Sequence, residues 1–303
     1  MKVWNEYIIG CSQSHYYFFD FARFNKQAGD FIFIEAPINF DKVGLEWVKR
    51  NKIVYLELEE PNRFFLLDWF NHLPYDPYFR RIFSICPYTC EWLNAKYGDN
   101  IRTPVFIPLN EKIMPSPGAP KKYDVLYAGH VFPGEITRII DDITRFNYRL
   151  ISNSDDQRVT NHGASNDAKL RLMAETKITI AHNLLFLADP HINNVARIGC
   201  GNKAFELARS HRIVPQIKGR TFEAAFCRSL ILCRRDPFNI IERFFAPDEE
   251  FVYYEEEKLG EMIDGILDNY SKYEKIVNNA YKRAMAEYTT QRFFDKYLKK
   301  LRV

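Results

Sequence analysis

The sequence lacks the short motifs that mark several large enzyme classes. It contains no Gly-x-Gly-x-x-Gly, which argues against a nicotinamide dehydrogenase. It also contains no Gly-x-x-x-x-Gly-Lys-Ser/Thr phosphate loop, no His-Glu-x-x-His and no Gly-x-Ser-x-Gly. These absences argue against a P-loop nucleotidase, a zinc peptidase of that type and an α/β-hydrolase.

Metal-binding patterns are missing as well. No two aspartates are spaced Asp-x-Asp, the arrangement with which metal-dependent sugar transferases hold a cation on a diphosphate. Asp155 and Asp156 are adjacent, in a polar stretch that predicts a loop. The six cysteines form no Cys-x-x-Cys pair and match no common zinc spacing. Several of them lie in apolar runs, which predicts buried, reduced thiols.

The net charge and the length of the apolar runs argue against nucleic-acid-binding and membrane-spanning proteins. The formal net charge of +3 is small for 303 residues and creates no strong field for nucleic acid or an anionic membrane. No apolar run approaches the roughly 20 residues that span a bilayer. Residues 1–10 lack the layout of a signal peptide. We therefore expect a cytoplasmic protein without a transmembrane segment.

The sequence does contain short β-rich runs that alternate with stretches of helical spacing. The runs are Tyr7–Gly10, Phe31–Glu35, Ile53–Glu57, Ile82–Cys86, Val105–Pro108, Tyr123–Gly129, Tyr148–Ser152, Lys177–Ala181, Leu230–Cys233 and Phe251–Tyr254. Helical spacing occurs in Phe18–Phe24, Thr89–Tyr97 and Lys258–Leu301. This alternation predicts βαβ units, parallel sheets and an α/β fold.

A proline-rich stretch interrupts the pattern at residues 114–122, which hold three prolines. Proline restricts the backbone and removes an amide donor, so this stretch predicts an extended linker. We expect an N-terminal Rossmann-like domain at 1–117 and a C-terminal one at 118–303, facing each other across a cleft. That architecture fits a dehydrogenase, a binding protein or a glycosyltransferase, and it does not choose among them.

The segment 214–233 is the most informative. It predicts a loop with Lys218 and Arg220, a helix over Thr221–Cys227 and a strand. A helix N-terminus offers free amides and partial positive charge to a phosphate, and two cations strengthen that site. Glu223 in the first turn has the chemistry to accept hydrogen bonds from vicinal hydroxyls. The alternative is a solvated basic pair with Glu223 complementing the helix dipole.

This segment resembles the donor domain of group 1 glycosyltransferases, especially the branch like the spore-coat maturation glycosyltransferases. The resemblance rests on Arg220-Thr-Phe-Glu223-Ala, on the following strand and on the phrases Asp236–Pro247 and Asp248–Tyr254, and it covers about residues 123–303. It implies the GT-B fold of two Rossmann-like domains, with the C-terminal one binding a nucleotide sugar.

The resemblance also implies roles for single residues. Glu223 matches the glutamate that holds the ribose, and the basic residues before it, Lys218 and Arg220, are carried over as diphosphate contacts. Thr221 is a further donor-binding candidate. Arg228 stands where the family usually has glycine, and it either contacts phosphate or points into solvent. The family's earlier glutamate is replaced by Pro215, so the retaining stereochemistry does not carry over.

Further candidates follow from the ends of predicted strands. Gly129 and His130 end the first C-terminal strand, where backbone approaches phosphate in such folds, with an ordinary turn as the alternative. His15, Glu59 and Glu60 follow N-terminal strands and are candidates for the base that deprotonates the acceptor. Their alternative is a surface or strand-end role. Asn183 and His191 are weaker donor-side candidates.

We therefore expect a metal-independent, hexosyltransferase-like glycosyltransferase of glycan or polysaccharide synthesis. A nucleotide-diphosphate sugar is its co-substrate, a hydroxyl group is its acceptor, and no other cofactor is expected. One alternative is a viral-type transferase that modifies DNA or nucleotides, with a basic groove at Arg80, Arg81, Lys96 and Lys49–Lys52. The other is a non-catalytic module that binds nucleotide sugars.

Overall fold

The computed structural model describes residues 1–3, 20–24, 26–34, 44–58, 60–61, 75–188, 206 and 210–301. The chain forms two compact units. The first unit comprises residues 1–110, 184–217 and 289–303, and the second comprises 111–183 and 218–288. The chain thus first passes from the first unit to the second after residue 110, close to the predicted boundary at 117. The two later segments of the first unit lie in the stretch that the sequence assigned to the C-terminal domain.

The first unit contains a five-stranded parallel sheet in the order β1 to β5. Its strands are β1 (Lys2–Val3), β2 (Ile32–Ile34), β3 (Ile53–Glu57), β4 (Arg81–Ser84) and β5 (Arg102–Pro104). Helices α1 (Leu45–Arg50) and α2 (Pro87–Tyr97) and 3₁₀ turns at Phe21–Phe24 and Asp76–Tyr78 belong to the same unit. The expected first strand, Tyr7–Gly10, lies outside the described residues.

One strand of this sheet differs from the prediction. The apolar run Val105–Pro108 was expected to be a strand, but β5 ends before it at Pro104. The run is buried because it packs on the C-terminal segment: the ring of Phe106 lies 5.6 Å from that of Phe293. A short apolar run does not by itself distinguish a strand from a buried loop.

Two later segments return to the first unit. Strands β10 (Leu184–Phe186) and β11 (Ile213–Pro215) form an antiparallel pair. Helix α8 (Thr290–Phe293) and a π-helical turn (Phe294–Leu298) bring Phe293 into the aromatic core, with its ring 5.2 Å from Phe21 and 5.6 Å from Phe83. These rings explain why the end of the chain belongs with its beginning.

The second unit contains a six-stranded parallel sheet in the order β13-β12-β9-β6-β7-β8. Its strands are β6 (Tyr123–Ala128), β7 (Tyr148–Ser152), β8 (Asn161–His162), β9 (Thr176–Ala181), β12 (Leu230–Arg234) and β13 (Val252–Tyr254). The chain runs outward from β6 to β8 and then returns to β9 beside β6. In such sheets ligands bind at the carboxyl ends of the strands, near this reversal.

Helices cover this sheet because their apolar positions repeat at the helical period. The helices are α3 (Glu135–Ile143), α4 (Asn166–Ala174), α5 (Gly219–Phe226), α6 (Leu259–Asp268) and α7 (Glu274–Glu287), with 3₁₀ turns at Ile240–Arg243, Glu256–Lys258 and Tyr270–Tyr273. Ile136, Ile139, Ile140 and Ile143 of α3 pack in one core with strand residues such as Val125. The predicted helical stretch Lys258–Leu301 is therefore a series of short helices.

Cysteine chemistry follows the prediction in the described part of the chain. Cys86, Cys90, Cys227 and Cys233 are buried and unbonded to one another. Burial raises the pKa of Cys86 to about 12, which keeps the thiol protonated and unreactive. Among the residues that the structure describes, no helix combines the length and apolar character needed to cross a bilayer.

Candidate functional site

A cavity of about 340 Å³ opens in the second unit, at the carboxyl ends of β6 and β7 and beside the start of α5. It combines residues from four separate stretches of the chain. Five of the predicted donor-side residues line it: Gly129, His130, Lys218, Arg220 and Glu223. The sequence did not single out the others: Ala128, Ile151, Ser152, Asn153, Ala164, Lys169 and Gly219.

The first turn of α5 is anchored by a buried amide. The helix begins at Gly219, two residues before the predicted start, and Lys218 is its N-cap residue in extended conformation. Asn183, two residues after the end of β9, accepts hydrogen bonds through Oδ1 from the Lys218 amide at 3.0 Å and from the Thr221 hydroxyl at 3.2 Å. Thr221 is fully buried and is absent from the cavity lining, so in this geometry it anchors the helix.

Arg220 lies directly against the end of β6. A Cβ atom added to Gly129 would be only 2.6 Å from Arg220 Nη1, so this approach requires the glycine. The guanidinium carbon lies 5.1 Å from the centroid of the Tyr127 ring. Nη1 is buried and has no hydrogen-bond partner among the described residues. A guanidinium with a buried, unused donor nitrogen at a cavity wall is suited to an anion.

Glu223 presents the opposite charge to the same cavity. Its residue exposure is 4%, and its Oε1 accepts a hydrogen bond from Lys169 Nζ at 2.8 Å. Its Oε2 is buried without a partner among the described residues. Lys169 comes from α4, 54 positions before Glu223, and no local motif marks it. The cavity therefore holds three cations, Lys169, Lys218 and Arg220, around one carboxylate.

A second polar cluster lies at the carboxyl ends of β9 and β12. Glu135, the first residue of α3, accepts a hydrogen bond from His182 Nε2 at 3.0 Å when that nitrogen is protonated, and it pairs with Arg234. Burial lowers the pKa of His182, which favours the neutral imidazole. Burial alone would raise the pKa of Glu135, but the His182 hydrogen bond and the Arg234 charge bring it below its usual range. The sequence analysis missed this cluster.

Arg228 does not reach the cavity. It follows α5 in the left-handed region, with φ of 51°, a conformation that explains why glycine suits this position. Its guanidinium carbon lies 4.3 Å from the centroid of the Tyr281 ring. It lines a different cavity, of about 260 Å³, together with the linker residues 115–119. The structure therefore brings Arg228 to a different cavity from the one lined by Lys218, Arg220 and Glu223, away from the phosphate contact that was one of its two expected roles.

The acceptor-side candidates are only partly described. His15, Glu59 and the weaker candidate His191 lie outside the described residues. Glu60 is fully buried and accepts a hydrogen bond from Ser84 Oγ. Ser84 Oγ in turn accepts a hydrogen bond from the Cys86 amide at 3.1 Å. Within the described ranges, no group of three or more His, Cys, Asp or Glu side chains is arranged to hold a metal ion.

Residues 136–299 match the model of the glycosyl transferase-like family. No curated protein sequence matches the chain.

The fold is similar to that of many solved structures, including the following three. Anabaena HepE in complex with UDP and glucose has a TM-score of 0.57 at 14% identity, covering 86% of this chain and 74% of that one. Sucrose-phosphate synthase of Thermosynechococcus elongatus has a TM-score of 0.55 at 11% identity, covering 89% and 72%. TarM of S. aureus, in complex with UDP, fondaparinux and α-GlcNAc-glycerol, has a TM-score of 0.57 at 9% identity, covering 91% and 56%.

These identities show the fold alone, which is the GT-B fold expected from the sequence. The finer resemblance to the spore-coat branch stays a prediction. The family match spans more than half of the 303 residues. The chain therefore belongs to the glycosyl transferase-like family and is a glycosyltransferase.

Proposed function

We propose that the chain transfers a sugar from a nucleoside diphosphate donor, bound in the cavity at α5, to a hydroxyl acceptor. One observation carries the donor assignment. Arg220 Nη1 and Glu223 Oε2 are buried in the lining of one cavity, have opposite charge, and lack a partner among the described residues. A nucleoside diphosphate offers both complements, an anionic diphosphate and a neutral vicinal diol that donates hydrogen bonds.

The diphosphate is assigned to the basic side of the cavity. Arg220, Lys218 and the first amides of α5 lie together there. When the bond to the sugar breaks, negative charge grows on the leaving diphosphate. Fixed donors that are aimed at that charge lower the barrier without reorganising. These cations and amides would do the work that a bound metal does in other transferases.

The ribose is assigned to Glu223. Its buried carboxylate has one oxygen held by Lys169 and one oxygen available to a hydroxyl donor. UDP is present in the similar structures of HepE and TarM, which supports a uridine nucleotide as the first probe.

The acceptor and its base belong to the proposal as well. We keep His15, Glu59 and Glu60 as candidates for the base and place the reaction in the cytoplasm, in glycan or polysaccharide synthesis. A nucleic-acid acceptor gains no support. Lys49 of the suggested basic groove is paired with Glu46 at 3.1 Å, and the net charge is only +3.

A screen of nucleotide sugars tests the donor class. A matching donor at 100 times its Kd should stabilise the fold by about 2.7 kcal/mol, which a thermal-shift assay detects as a higher Tm. The same donor should then be hydrolysed slowly in the absence of acceptor, which distinguishes an enzyme from a binding module. If no nucleoside diphosphate sugar raises the Tm, the donor proposal is wrong.

Metal independence is tested with a chelator in the same assay. We expect EDTA to leave donor hydrolysis and transfer within about twofold, because cations and helix amides are proposed to replace the metal. The measurement is the turnover with and without EDTA, followed by added manganese. A hundredfold loss that manganese restores would contradict this part of the proposal.

A further inference from the structure

Lys169 is the charged residue of the cavity for which the sequence offered no motif. It lies in the first turn of α4. The side chain of the N-cap residue Ser165 accepts a hydrogen bond from the Ala168 amide at 3.2 Å, and the Lys169 amide donates one to the Ser165 carbonyl at 2.9 Å. Leu170 and Met173 of the same helix are buried in the core. The backbone that carries Lys169 is therefore held firmly, and its side chain extends from a fixed point into the cavity lining.

The ion pair that Lys169 forms is unlike the surface pairs of the second unit. The side chains of Lys169 and Glu223 are 21% and 5% exposed, and their charged atoms are 2.8 Å apart. By comparison, Lys177 and Asp124 form a pair of similar length, 2.9 Å, with exposures of 31% and 27%. A charge-assisted bond to a buried carboxylate is short and directional. It therefore fixes which oxygen of Glu223 faces Lys169 and which remains available.

We propose that Lys169 is a positioning residue for Glu223, which makes donor binding depend on the ribose hydroxyls. The ammonium holds Oε1 and keeps the carboxylate plane in one orientation, so that Oε2 is directed to a hydroxyl of the bound nucleoside. Without Lys169, the carboxylate of Glu223 is free to rotate and has lost its counter-charge. This inference rests on the proposed nucleotide function and adds how the diol is recognised.

The test compares two ligands on matched variants. Calorimetry measures the affinities of UDP and of 2′,3′-dideoxyuridine diphosphate for the parent, Lys169→Met and Lys169→Arg. We expect Lys169→Met to bind UDP about tenfold more weakly and the dideoxy ligand almost as tightly as the parent. The preference for UDP over the dideoxy ligand should therefore be largely lost. Lys169→Arg keeps the positive charge and should recover part of this preference.

Two controls separate positioning from a general effect on stability. Lys177→Met removes a lysine of the similar, more exposed pair and should change neither affinity. The double variant Lys169→Met with Glu223→Gln should bind UDP no more weakly than Glu223→Gln alone, because coupled residues are not additive. The Tm of each variant shows that it is folded.

Three results would overturn the inference. One is an unchanged preference for UDP over the dideoxy ligand in Lys169→Met. Another is an equal loss of affinity for both ligands, which would place Lys169 on the diphosphate instead. If the parent binds no nucleoside diphosphate at all, the proposed function fails first and this inference falls with it.

Discussion

Arg220→Ala is expected to lower kcat/KM by about 100- to 1,000-fold, the usual effect of removing one fixed donor that stabilises developing negative charge. The guanidinium lies against Gly129, and its Nη1 is buried without a partner among the described residues. The attraction between such a cation and the leaving diphosphate is strongest when the diphosphate becomes more negative in the transition state. Steady-state kinetics with the donor identified by the screen measures the effect.

Matched variants show whether the position of Arg220 matters as well as its charge. Gly129→Ala keeps the arginine side chain but adds a methyl group 2.6 Å from the position of Nη1, so the guanidinium must shift and we expect a loss in the same direction. Arg145→Ala removes an arginine of the same unit that is 59% exposed and pairs with Asp264, and it should leave kcat/KM unchanged. If Arg220→Ala keeps the kcat/KM of the parent, the diphosphate does not bind where we propose.

Glu223→Ala is expected to weaken nucleoside diphosphate binding by about 10- to 100-fold. Hydrogen bonds to a charged group contribute about 1.5–3 kcal/mol, and each 1.4 kcal/mol is a factor of ten in affinity. A 2′,3′-dideoxy ligand should lose far less because it lacks the partner hydroxyls. Calorimetry with both ligands measures the difference.

The opposite pattern is expected for the basic side of the cavity. Lys218→Ala should weaken binding of the diphosphate more than binding of the bare nucleoside, and it therefore serves as the comparison variant for Glu223→Ala. If Glu223→Ala binds the diphosphate as tightly as the parent, α5 has a purely structural role and the site assigned by resemblance is wrong.

The sheets could be predicted because their strands are short apolar runs whose spacing is local. Ile53–Glu57 and Tyr148–Ser152 occur as β3 and β7 with the expected bounds. Helix α5 was also anticipated, within two residues at its start, from the loop, helix and strand pattern of the segment 214–233. Local pattern and the family resemblance together therefore anticipate the strands, the helix and five of the twelve residues that line the cavity.

What could not be predicted depends on contacts between distant parts of the chain. Lys169 meets Glu223 across 54 positions, and Asn183 reaches Lys218 across 35. Neither pairing leaves a trace in local spacing. The surroundings of Arg228 could not be predicted for a related reason: the sequence shows that it replaces glycine, but not that Tyr281 lies beneath its guanidinium.

Because the end of the chain returns to the first unit, the two units cannot complete their folding in the order in which their first residues are synthesised. The Phe293 ring contacts Phe21, Phe33, Phe83 and Phe106, so the aromatic core of the first unit includes a residue from the last turns of the chain. Synthesis proceeds from the N-terminus, so residues 1–110 are made before Phe293 and cannot complete the aromatic core of the first unit until that residue is added. The second unit, 111–183 with 218–288, is complete in sequence sooner. Translation therefore supplies the whole donor-side unit before the first unit can close its core.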